Sequence, residues 1–142
     1  MTAQESAQQG YVYFFLAFDE GDNAGMVKIG FARDPKHRRH DLQTGLPVEL
    51  SELVVYPGTR GDELDVHRLL KSSRVRGEWF TYSDEVDDFL YDVEDIRTMV
   101  EIASGGKLVP TLADCIALMA NSPPVMRQTL LPPPRATGNV GE

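Results

Sequence analysis

The sequence predicts an α+β domain: a small three-stranded sheet, antiparallel or mixed, flanked by helices. Three observations carry this. Two apolar runs, 11–18 and 26–31, are joined by the turn-rich DEGDNAG and read as a hairpin. Strand and helix signals then follow in the order β-β-α-β-α, ending in an extended segment and a helix. In the segment 83–103, Phe89, Leu90, Val93, Ile96 and Val100 recur at helical spacing, giving the sheet a partner to pack on.

The first run, YVYFFLAF, is almost continuously apolar, as a central strand requires, and MVKIGF at 26–31 resumes the pattern. Asp34 then caps a helix whose first position is Pro35 and whose stop is Gly45. ELVVYPG at 52–58 predicts the third strand, closed by Pro57-Gly58, and 61–73 a second helix. RGEWFTY at 76–82 is short, aromatic and extended, and Ser83 caps the third helix. Thr111, with Asp114 three residues on, opens one more short helix. The expected organisation is a flexible segment 1–9, a domain 10–104, a short helix within 105–122 and a Pro-rich disordered tail 123–142.

The length of 142 residues suits one domain with its own core. No apolar run approaches the roughly 20 residues that span a bilayer, and MTAQESAQQG lacks the positive charge of a secretory signal. The single cysteine, Cys115, leaves neither an intramolecular disulfide nor a cysteine-built zinc site, and a reducing cytoplasmic location is the default expectation. The net charge of −8 is unevenly spread. Residues 26–80 hold ten Lys/Arg against eight Asp/Glu and all three histidines, whereas 81–142 holds four against ten. The cationic surface is local.

That local surface centres on KIGFARDPKHRRH. Within 35–43 the one strongly apolar residue is Leu42, and Arg38 lies four positions earlier on the same helix face, drawn toward Lys28 and Gly30. Lys36 and Arg39 lie elsewhere around the helix, facing solvent; a merely solvated basic helix is the alternative. On the second helix Glu63, Val66, His67 and Leu70 share one stripe. A carboxylate there needs a partner: Arg38, Lys28 or a divalent metal, unless Glu63 and His67 simply hydrogen-bond each other. Tyr11 and Tyr13 share one face of the first strand.

Together, YVYF at 11–14, KIGFARDPKHR at 28–38, ELDVH at 63–67 and GEWF at 77–80 resemble the GIY-YIG nuclease superfamily, in a phage-type branch with KIG in place of YIG. The resemblance covers about residues 10–90. It puts Tyr13 at the first motif tyrosine, Lys28 at the second, Arg38 at the helix arginine and Glu63 at the metal-binding glutamate. What it implies is hydrolysis of DNA phosphodiester bonds with one Mg²⁺ or Mn²⁺ ion and low intrinsic sequence specificity, in a cytoplasmic protein of phage or mobile-element origin. Glu63 would hold the metal, Arg38 the phosphate, and Tyr13 would orient or deprotonate the attacking water. A tyrosine used so needs a cationic neighbour, for which Lys28 is the candidate. His67 or His40 would carry protons, and Gly30, Arg33, Lys36, Arg39 and His40 would contact the nucleic acid.

The chain departs from the family at the second tyrosine and lacks a counterpart of the asparagine that many members carry after the glutamate. The alternatives are a GIY-YIG fold without turnover that binds nucleic acid or protein, and an acidic interaction protein working through helix 83–103. That helix, with eight acids and one arginine over 83–101, is expected on the side away from DNA and is available to a protein partner or a second copy.

Overall fold

The computed structural model describes residues 8–19 and 22–121. Strands β1 (Gln9–Asp19) and β2 (Asp22–Ala32) precede helix α1 (Pro35–Gln43). Strand β3 (Leu50–Thr59) leads into helix α2 (Arg60–Leu69) and a 3₁₀ turn, Lys71–Ser73. Two short strands follow, β4 (Arg74–Arg76) and β5 (Trp79–Thr81), then helices α3 (Asp84–Ala103) and α4 (Leu112–Asn121). The fold is α+β, and the sheet order is β3-β1-β2-β5-β4 with every neighbouring pair antiparallel. Expectations for residues 1–7 and 123–142 fall outside the described residues.

The sheet has five strands and not the three expected. The extended segment after α2 splits at Gly77, whose φ of +55° suits glycine. Its two halves pair as a hairpin, and β5 joins β2 through Met26↔Thr81, Val27↔Phe80 and Lys28↔Trp79. The second helix is also shorter than 61–73: it ends at Leu69, and Leu70 turns the chain into the 3₁₀ turn.

β1 is continuously apolar because it is paired on both sides and covered on both faces. Val12 and Phe14 enter one core with Val27, Ile29, Tyr56, Phe80, Val66 and Leu70, closed by Val86, Phe89 and Val93 of α3 and Leu112 and Cys115 of α4. Tyr13, Phe15 and Leu50 enter the other, under Leu42 and Leu46, with Trp79 at its edge. α1 therefore covers one face of the sheet, and α2, α3 and α4 the other. Fully burying one such aromatic side chain stabilises the fold by roughly 1.5–3 kcal/mol.

Local signals place the helices. Asp34 accepts from the His37 N–H at 3.1 Å with Pro35 behind it, and Ser83 accepts from the Val86 N–H at 3.3 Å. α2 starts at once from β3, because Thr59 ends the strand and forms a capping box with Asp62. No helix among the described residues is long and apolar enough to cross a membrane.

Candidate active site

β5 is three residues long, so it covers β2 only as far as Lys28, and the Ile29 N–H closes the pairing on the Glu78 carbonyl at 2.9 Å. Beyond that point α2 takes over. His67 Nε2 donates to the Ile29 carbonyl at 2.8 Å, which places a proton on Nε2. The same nitrogen lies 3.4 Å from Glu63 Oε2, and Arg60 donates to Glu63 Oε1 at 3.3 Å. Glu63, 1% exposed, is the one buried charged residue among those described. The amphipathic stripe predicted for α2 is real, and its carboxylate sits where the strand pairing stops.

Across the sheet, Tyr13 and Gly30 are directly paired. The missing side chain at Gly30 makes room for the phenol: a Cβ built there would fall on Tyr13 Oη and lie 3.0 Å from Glu78 Oε1. Tyr13 stacks on Phe15, with ring centroids 4.1 Å apart. Arg38 is an exposed residue of α1, yet its guanidinium is within hydrogen-bonding reach of the buried Tyr13 hydroxyl. Burial raises the Tyr13 pKa; the Arg38 hydrogen bond works against this, and the charges of Glu78 and Glu63 add to it. The net shift is upward, so Tyr13 keeps its proton at neutral pH. The cation at Tyr13 is thus Arg38, where Lys28 was expected, and it does not outweigh burial.

Lys28 turns instead to the β4–β5 hairpin. Its Nζ lies 3.3 Å from Glu78 Oε1 and 5.3 Å from the centre of the Trp79 ring. Glu78 also reaches Glu63. Burial, then the hydrogen bond to Glu78, hold the Glu63 carboxyl well above the ordinary carboxylate range, against the charges of Arg60 and Lys28. Glu78 is the site residue that the sequence reading did not assign. Its signal was present in GEWF, an acid at a turn followed by two aromatic residues, but its place depends on a pairing too short to foresee.

Tyr13, Lys28, Gly30, Arg38, Glu63, His67 and Glu78 thus form one connected cluster. Arg39 lies apart from it: its guanidinium donates to the Leu50 carbonyl at 3.0 Å and ties α1 to the start of β3. His40 is exposed on α1. Arg33 and Lys36 are exposed and line a shallow depression of about 410 Å³ with Tyr11, Asp34 and Glu52.

The donor set suits a small hard divalent cation. The Glu63 carboxylate offers oxygen ligands, and such an ion commonly takes one or two carboxylates, completing its shell with water and phosphate oxygens. A cation would also offset the burial that raises the Glu63 pKa. Among the described residues no three His, Cys, Asp or Glu side chains gather as a metal cage.

The family model described as the T5orf172 domain matches residues 10–103, well over half of the chain. The matched segment runs from β1 to the end of α3 and contains every member of the cluster. No curated protein and no solved structure matches the chain.

Proposed function

The chain belongs to the T5orf172 domain family, and on that premise we propose that it is a metal-dependent DNA endonuclease of the GIY-YIG type. The observation that carries this is the cluster itself. An arginine guanidinium, a tyrosine hydroxyl and a buried glutamate converge across Gly30, although they come from α1, β1 and α2.

Glu63 would hold the cation. When bound, a Mg²⁺ or Mn²⁺ ion supplies charge stabilisation for the phosphate and the leaving oxygen. Arg38 has five N–H donors in a fixed fork, so it can bind phosphate oxygens while one donor stays on Tyr13. With its proton retained, Tyr13 acts as a donor that orients the attacking water or a phosphate oxygen. His67 has its Nε2 proton committed to Ile29 and Glu63, so it fixes the position of the carboxylate. Water attacks phosphorus, the ester P–O bond breaks, and one proton of the water ends on the leaving oxygen. These contacts reach the phosphate alone and carry no sequence information, in keeping with low intrinsic specificity.

Purified protein with Mg²⁺ or Mn²⁺ should convert supercoiled plasmid to nicked or linear forms. Arg38→Ala and Glu63→Ala should each lower the rate by about 10²–10³-fold, the usual cost of losing one charge-stabilising group. A second reading, a fold that binds nucleic acid without turnover, is favoured by Lys28 standing in place of the second tyrosine. It wins if wild-type protein retards DNA in a gel but cleaves none with any divalent metal.

A further inference from the structure

The β4–β5 hairpin is an unusual expense of chain. Both strands are three residues long, all of β4 is exposed, and a two-stranded ribbon of that size is not stable alone. Yet its position on β2 is fixed, and its own turn is closed by a side chain. Trp79 pairs with Lys28, the Ile29 N–H bonds the Glu78 carbonyl at 2.9 Å, and Arg74 Nε donates to the Gly77 carbonyl at 2.8 Å across the turn. Two side chains leave this corner toward the cluster, and both meet the ammonium of Lys28.

We infer that Glu78, with Trp79, is a positioning residue for Lys28: the corner holds the ammonium as a fixed phosphate-binding cation. This rests on the proposed DNA-binding role of the cluster. Lys28 lies on the same sheet face as Gly30 and Tyr13, one strand position pair away. Its side chain is 12% exposed, against 33% for Glu78, so the stem is enclosed and the carboxylate lies toward the rim. An ammonium has three N–H donors. The contact with Glu78 takes one, leaving the others for a phosphate oxygen. A lysine free in solution loses much rotamer freedom when it binds; one already clamped between a carboxylate and an indole face does not. Lys28 and GEWF are then one device, and the hairpin exists to carry it.

Glu78 also touches Glu63, so a role as a cation ligand must be separated from a role through Lys28. Anisotropy of a labelled DNA duplex, titrated without divalent metal, gives the affinity of each variant without cleavage. Lys28→Ala should weaken binding about three- to tenfold, as expected for one desolvated phosphate contact. Glu78→Ala should weaken it by a similar factor, although it removes a negative charge. The double variant should be no weaker than Lys28→Ala alone. Glu78→Gln keeps an oxygen for Nζ and should stay within about twofold of wild type, and Mn²⁺ affinity by calorimetry should be as little changed. Tighter DNA binding by Glu78→Ala marks a bystander carboxylate and overturns the inference. So do additive effects in the double variant, or a fall of about tenfold or more in Mn²⁺ affinity for Glu78→Gln. If Glu78→Ala does not fold, Glu78→Gln and Lys28→Ala decide through the same two readouts, with Glu78→Leu as the variant lacking an acceptor. Wild-type protein that binds DNA without cleaving it ends the nuclease reading and leaves this comparison intact.

Discussion

At Gly30 sequence and chemistry meet most tightly, because one missing methyl lets the Tyr13 hydroxyl and the Glu78 carboxylate approach the strand. Gly30→Ala should displace Tyr13 from Arg38 and cost about 1–3 kcal/mol of stability by overpacking. Denaturant titration would read that cost, and the nicking rate should fall with it. Glu63 should behave differently. A carboxyl whose pKa is raised by burial is closely mimicked by an amide. Glu63→Gln should therefore keep its stability within about 1 kcal/mol of wild type while nicking falls at least about 10²-fold, the cost of one charge-stabilising group. Large destabilisation by Glu63→Gln would mean that its charge is structural. Arg39 gives the converse case. Because its guanidinium serves the Leu50 carbonyl, Arg39→Ala should cost about 1 kcal/mol and leave DNA affinity nearly unchanged, measured by melting and anisotropy on the same protein.

Among the elements, those with a complete local signal could be read in advance. Asp34-Pro35 and Ser83 mark helix starts, and the aromatic run of β1 marks a strand buried on both faces, since each signal acts within a few residues. The β4–β5 hairpin could not be read that way. Three-residue strands are too short to show a period, and only pairing of β5 with β2 and of β4 with β5 makes them strands. The placement of Tyr13, Arg38 and Glu63 in one site came from matched motifs; spacing alone left Glu63 a choice of partners. Glu78 needed the tertiary pairing. The last helix offers an independent check on how elements pack. Cys115 of α4 is fully buried beside the Val93 carbonyl of α3, and burial pushes its thiol from 9.0 up to about 11. A raised folded pKa gives stability that is complete below the unfolded value and lost as pH rises toward the folded one. Stability should thus fall between about pH 9 and 11 as the unfolded thiol ionises, by up to roughly 2–3 kcal/mol at 1.36 kcal/mol per unit. In Cys115→Ala this part of the pH dependence should vanish. A thiol reagent that labels native protein as fast as unfolded protein would show instead that α4 is not docked.

On the scale of the whole molecule, a net charge of −8 and the proposed phosphate site coexist because the sheet stands between them. α1, with Lys36 and Arg38, covers one face, and the acidic α3 covers the other. Packed layers lie about 10 Å apart, and at physiological ionic strength charges separated by more than about 8 Å in solvent are largely screened. The acids of α3 then have little influence on DNA held against α1. Removing two exposed charges, Asp84→Asn with Glu101→Gln, should leave DNA affinity within about twofold at 0.15 M salt. Lys36→Ala with Arg33→Ala, on the α1 side, should weaken binding. Each lost phosphate contact should also flatten the plot of log affinity against log salt by about 0.9. If the α3 pair tightened binding as much as the α1 pair weakened it, DNA would have to run past both helices. The site at Gly30 would then not be where the duplex lies.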